Sequence, residues 1–72
     1  MKIDEVKQEL EKHVGDNAII RYHLGRNKYE EYQVKIRKLY DYIFLVELEE
    51  SGKEMKSFSY SDIIAKTIHI IY

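Results

Sequence analysis

The hydrophobic period changes once along this chain, and that change constrains the fold more than any other feature. Over residues 3–14 the apolar positions Ile3, Val6, Leu10 and Val14 recur at spacings of three and four, one stripe of an α-helix. Asp4 and Glu5 fall in the first turn, where carboxylates suit the helix dipole, and Gly15 stands just past the last apolar position as a terminator. At about 12 residues such a helix is marginal alone in water, so its stripe must dock.

From Asn17 the period is 2. Ala18, Ile20 and Tyr22 alternate with Ile19, Arg21 and His23, the mark of a strand with one buried face. Residues 24–28 form a connection in which Gly25 and Asn27 can take positive φ. A second run sets Tyr32, Val34 and Ile36 against Gln33, Lys35 and Arg37, and Tyr40-Asp41 breaks the chain tightly. The third strand, residues 42–48, is apolar on both faces through Ile43, Phe44, Leu45 and Val46, so the helix is the expected cover for its second face.

Residues 49–53 read as a polar hairpin tip around Gly52, and residues 54–60 as a fourth strand. Ser61-Asp62 is the expected cap of one helical turn at Ile63-Ile64. A final strand, residues 67–72, carries Ile68, Ile70 and Tyr72 on one face. The expected architecture is mostly β with an N-terminal α-helix: a small five-stranded Sm/SH3-like barrel. Residues 1–72 form a single domain, with the helix at about 3–14 and the barrel at about 17–72. An OB-fold competes, but it usually carries its helix between the third and fourth strands.

So short a chain buries a modest core. It has no cysteine, so neither a disulfide framework nor a thiolate metal site reinforces that core, leaving efficient packing or self-association. A cysteine-free chain without a signal sequence fits the cytoplasm, and no apolar run reaches the length of a membrane span, so no membrane partner is expected. Proline is absent and tyrosines outnumber phenylalanines seven to two, a composition that favours pleated, half-buried surfaces.

The net charge of −1 hides a sharp division: residues 21–38 carry a net +4 and residues 41–54 a net −4. If the first two strands pair, Arg21 and His23 face outward beside Lys35 and Arg37, with Arg26 and Lys28 at the tip. The candidate nucleic-acid-binding residues are therefore Arg21, Arg26, Lys28, Lys35, Arg37 and Lys38. Tyr29 and Tyr40 lie at the edges of this face, where rings can stack on exposed bases while the cations neutralise phosphates of DNA or RNA. The plain alternative is a solvated surface, since charged outward positions guard any sheet, and the pI of 6.3 lies well below the value of about 9 that marks a dedicated nucleic-acid domain. The opposed patches also suit a homodimer in which they meet reciprocally, or simple pairing within one barrel.

No catalytic constellation is present. His13, His23 and His69 are scattered, without His-x-x-x-His or Glu-x-x-His spacing, so no metal site is expected. Ser57, Ser59 and Ser61 lack a nucleophile elbow and an orienting acid, and one glycine in residues 25–28 cannot cradle a phosphate as a Walker loop does. The adjacent pairs Glu30-Glu31 and Glu49-Glu50 point to opposite faces of a strand. The chain is expected not to be an enzyme and to need no cofactor. Tyr22, Tyr32, Tyr60 and Tyr72 hold buried-phase positions, leaving Tyr40 and Tyr42 as contact candidates.

The order of amphipathic helix, Gly15, Gly25-Arg26-Asn27-Lys28 loop and Ile43-Phe44-Leu45-Val46-Glu47-Leu48 strand resembles the Veg family. So does the stretch Ser57-Phe58-Ser59-Tyr60-Ser61-Asp62-Ile63-Ile64 followed by Thr67-Ile68, the most specific part of the likeness. The loop has one glycine and fewer basic residues than the Gly-Gly-Arg-Arg-Lys associated with the family. The resemblance implies a short cytoplasmic protein of Gram-positive-type bacteria that stimulates biofilm formation through gene expression, with no catalytic residues assigned. The expected function is a small non-enzymatic regulatory binding protein that touches nucleic acid through the basic hairpin face. The alternative is a protein–protein interaction module that modulates another regulator, as a homodimer or alone, without nucleic-acid contact.

Overall fold

The computed structural model describes residues 2–50, 52 and 54–72; Ser51 and Lys53 of the expected hairpin tip lie outside the described residues. The element order is α1 (Ile3–Glu11), β1 (Asn17–Gly25), β2 (Lys28–Leu39), β3 (Ile43–Leu48), β4 (Met55–Ser59), α2 (Tyr60–Ile64) and β5 (Ile68–Ile71). The first four strands form an antiparallel meander, and β5 returns beside β1, giving the order β4-β3-β2-β1-β5.

This sheet is not closed. Its edges, β4 and β5, do not pair, so the expected barrel closure is absent among the described residues. The cause lies at the junction after β4, where the chain enters α2 directly and the helix, in contact with both edge strands and with α1, takes the space between them. Ser59 is the N-cap, its Oγ accepting the Asp62 N–H at 3.1 Å, so the cap lies two residues before the expected Ser61-Asp62. Lys66 ends the turn at φ 63 and delivers the chain into β5, beside β1.

The inner face of the sheet holds Ala18, Ile20, Val34, Ile36, Phe44, Val46, Phe58 and Ile68, joined by Val6 and Leu10 from α1 and Tyr60 from α2. Phe44 lies between Phe58, with centroids 6.0 Å apart, and Tyr60, stacked at 5.7 Å. The Tyr60 hydroxyl donates to the Tyr40 carbonyl at 2.5 Å, so its polar end is satisfied inside the core.

Helix α1 stops three residues short of the expected end, and Val14 is 46% exposed. The sheet claims the chain first: the Gly15 N–H donates to the Ile36 carbonyl at 2.7 Å, and the Ile36 N–H to the Asp16 carbonyl at 3.1 Å. Gly15 makes that departure at φ 90, a conformation that costs a Cβ-bearing residue more than glycine. The docked helix also lies elsewhere than expected. Val6 and Leu10 enter the same core as Phe44 and Val46, while Ile43, at 41% exposed, and Leu45 are left on the other face of β3. An open sheet leaves its inner face uncovered along one side, and α1 fills that side. Among the described residues, no helix is long and apolar enough to cross a membrane.

Candidate nucleic-acid interface on the outer sheet face

The turn between β1 and β2 decides which charges meet. Arg26 and Asn27 form a two-residue connection, Asn27 taking φ 59, and Gly25 stands opposite Lys28. The turn sets Gly25 opposite Lys28, a one-residue irregularity at Leu24 then shifts the register to His23 opposite Tyr29, and Arg21 falls opposite Glu31, not opposite the lysine and arginine further along β2. The Arg21 guanidinium donates to Glu31 Oε1 from Nε at 3.1 Å and Nη2 at 2.8 Å, and its carbon sits 4.8 Å from the Tyr29 ring centroid.

Around this pair the outer face gathers rings. His23 stands opposite Tyr29, with ring centroids 6.3 Å apart, and His69 on β5 meets His23 edge-on at 5.1 Å. Tyr29 is 52% exposed. His69 was invisible as a partner in the sequence because β5 joins β1 across most of the chain; its outward phase was the available signal. Arg26, at the turn, is exposed. Lys28 shares strand phase with Glu30 and Tyr32, so alternation turns it from the Arg21 face.

The remaining cations form a second group. Lys35 lies opposite Asn17 on β1 and Glu47 on β3. A bulge follows: Ile36 faces Val46, but Lys38 faces Leu45, so Arg37 is the extra residue and both cations are exposed. Lys38 Nζ sits 5.3 Å from the Tyr40 ring centroid. At roughly 3.3 Å per residue, Lys35 is roughly 20 Å along the strand from Tyr29, and Lys38 further. The expected basic wall is thus two patches on one outer face, with the Arg21–Glu31 pair at one end.

A smaller network occupies the other strand phase, where Tyr32 donates to Glu30 and Lys56 Nζ lies 4.4 Å over the Tyr32 ring. Of the contact candidates, Tyr42 is 73% exposed and Tyr40 is exposed beside it. Of the tyrosines expected in the core, Tyr60 alone is fully buried; Tyr22 and Tyr32 are half-buried, and Tyr72 is exposed, its ring stacked on His13 at 3.7 Å. Burial pushes the Tyr60 hydroxyl above its usual range, helped by the Glu11 and Asp41 carboxylates; burial and Glu9 do the same to Tyr72. No group of three or more His, Cys, Asp or Glu among the described residues could hold a metal ion.

The family model described as biofilm formation stimulator VEG matches residues 1–71 of this chain. No curated protein matches it.

Proposed function

Since the chain belongs to the VEG family, whose description is biofilm formation stimulator, we propose that it is a non-enzymatic regulatory protein of the cytoplasm that binds single-stranded nucleic acid on its outer sheet face. The supporting observation is the cluster of Arg21, His23, Tyr29 and His69, three rings and a guanidinium on one exposed surface, in line with Lys35, Arg37 and Lys38. Rings of this kind take bases by stacking without regard to sequence, and cations along the same strand take the following phosphates. We read the strand order, a meander with β5 returned to β1, as that of an Sm/SH3-like barrel opened along one side by α2. A sheet face is a common nucleic-acid platform in small β domains.

The test is a titration with single-stranded DNA and RNA oligonucleotides at low and moderate salt. Wild-type protein binds at low salt and weakens as salt rises; the combined Arg21→Glu, Lys35→Glu and Arg37→Glu variant loses binding. Tyr29→Ala weakens binding by about 1–3 kcal/mol at either salt, the worth of one stacked base. Absence of binding at low salt, or indifference to the charge reversals, discards this reading. One observation favours a protein-interaction module instead: Arg21 already holds a carboxylate, and Lys35 has one as its neighbour. That module would act on another regulator, as a homodimer or alone.

A further inference from the structure

An exposed tyrosine ring with a cation against it stands at each end of β2. Near its start the Arg21 guanidinium lies 4.8 Å from the Tyr29 ring centroid, and just past its end Lys38 Nζ lies 5.3 Å from that of Tyr40. The two ends differ in how far their cations are neutralised. Arg21 is held by Glu31, whereas Arg37 and Lys38 have no carboxylate within salt-bridge distance among the described residues. The bulge sets both of them against Leu45, so two unpaired positive charges stand side by side. The neighbouring carboxylates face other cations: Asp41 lies 3.8 Å from Lys7 of α1, and Glu47 stands opposite Lys35.

The tip that follows, residues 40–42, holds its rings out in water on a fixed backbone. Tyr42 exposes a larger fraction of itself than any other large apolar side chain among the described residues, and Tyr40 and Ile43 are exposed beside it. The Tyr40 N–H donates to the Ile43 carbonyl at 2.8 Å, and the Tyr60 N–H donates to the Tyr42 carbonyl at 3.1 Å. The Tyr60 hydroxyl donates to the Tyr40 carbonyl. Tyr60 is fully buried, so the tip hangs on the core, and its rings meet a ligand with little further loss of conformational freedom.

We infer that Tyr40 and Tyr42, with Arg37 and Lys38, form a second subsite for single-stranded nucleic acid, and that one bound strand runs along β2 from Tyr29 to this tip. The inference rests on the nucleic-acid reading of the outer face and extends it. A base stacks on Tyr40 or Tyr42 while its phosphates meet Arg37 and Lys38, and Lys35 takes a phosphate between the two ends. Because its cations are not already neutralised, the tip contributes more of the salt-dependent affinity than the Arg21 end does. The molecule measures 29 Å along its longest axis, and a stacked strand rises about 3.4 Å per nucleotide, so about nine nucleotides suffice to reach both ends.

The test follows the fluorescence anisotropy of labelled oligothymidylates of three, six, nine and twelve nucleotides with the full chain at low and moderate salt. Affinity climbs with length and levels off at about nine. The Tyr40→Ala, Tyr42→Ala double variant weakens nine-mer binding by about fivefold or more, the worth of at least one stacked base, and the corresponding double phenylalanine variant, which keeps the rings, restores it. The Arg37→Glu, Lys38→Glu variant flattens the salt dependence more than Arg21→Glu does. All four positions are exposed, so the fold survives these changes. In the 15N-labelled wild-type chain, the amides of residues 40–43 shift with the nine-mer, a reading independent of any variant. If the double alanine variant binds the nine-mer as wild type does, while Tyr29→Ala weakens it, the second subsite falls and the first stands. A nine-mer that binds no more tightly than the three-mer overturns the single spanning strand. Equal shifts of the tip amides with inorganic polyphosphate mark an anion site without base stacking, and the assignment falls. If no oligonucleotide binds at low salt, both readings fail together.

Discussion

Along β3 neighbouring side chains of the same chemistry meet opposite surroundings. Phe44, Val46 and Leu48 are buried in the core with α1 and α2, while Ile43 is exposed and Leu45 half-buried on a face that no helix covers. The apolar run Ile43-Phe44-Leu45-Val46 therefore does not mean a strand enclosed on both sides. Period-2 alternation decides which residues face the core, and the single amphipathic helix goes where the open sheet has the larger deficit. Stability belongs to the inner face, and the proposed nucleic-acid contact to the outer one.

The sharpest way to break that division is a pair of truncations one residue apart. Phe44→Ala removes a ring fully buried between Phe58 and Tyr60 and costs about 3–5 kcal/mol. A chain this size has roughly 4–11 kcal/mol to lose, so the variant is expected to be largely unfolded or close to it. Ile43→Ala on the outer face costs less than about 1 kcal/mol. Urea denaturation followed by circular dichroism separates the two; similar losses would show that something covers the outer face.

Tyr60→Phe comes next. It leaves the Tyr40 carbonyl without its donor and costs about 1–2 kcal/mol, whereas Tyr42→Phe, on an exposed ring, leaves the denaturation midpoint unchanged. The same residue sets an alkaline limit. Its folded-state pKa is raised above the ordinary value of about 10, chiefly by burial, so the unfolded chain ionises first. The stabilisation is whole below that ordinary value and disappears as pH rises through the folded one. Denaturation midpoints measured from neutral pH upward should fall in that alkaline range for the wild type. The fall should be shallower in Tyr60→Phe and, to a smaller extent, in Tyr72→Phe, whose ring is half exposed.

Local pattern carried most of the fold. The helix stripe, the strand phases and the Tyr40-Asp41 break can be read from residues within a few positions of each other, and the structure places them accordingly. What pattern could not carry was anything fixed by contact across the chain. Val14 continues the apolar stripe but lies outside the helix, because Gly15 must reach Ile36. Ser59 reads as a strand residue until its hydroxyl is seen to cap α2. The candidate site shows the same limit. Arg21, Lys35 and Arg37 share a face by phase, but the turn at Arg26-Asn27 and the register shift at Leu24 together give Arg21 a glutamate for a neighbour, and His69 arrives only through the pairing of β5 with β1.

The smallest expected effect is the most informative about the outer face. Arg21 and Glu31 are each more than a third exposed, so a double-mutant cycle with Arg21→Ala and Glu31→Ala should return a coupling of about 0.2–1 kcal/mol that shrinks as salt is added. A pair worth so little to folding can be broken without harming the core, which makes Glu31→Gln a clean probe. The amide keeps the shape and removes the charge, so stability should stay within about 0.5 kcal/mol of wild type. Arg21 is then released from a carboxylate while still resting on Tyr29, and oligonucleotide affinity at low salt should rise. The dependence of log affinity on log salt should steepen by up to about 0.7, the signature of one more phosphate neutralised on a single strand. If affinity falls instead, Glu31 is holding Arg21 in its binding posture, and the ion pair belongs to the platform, not in competition with it.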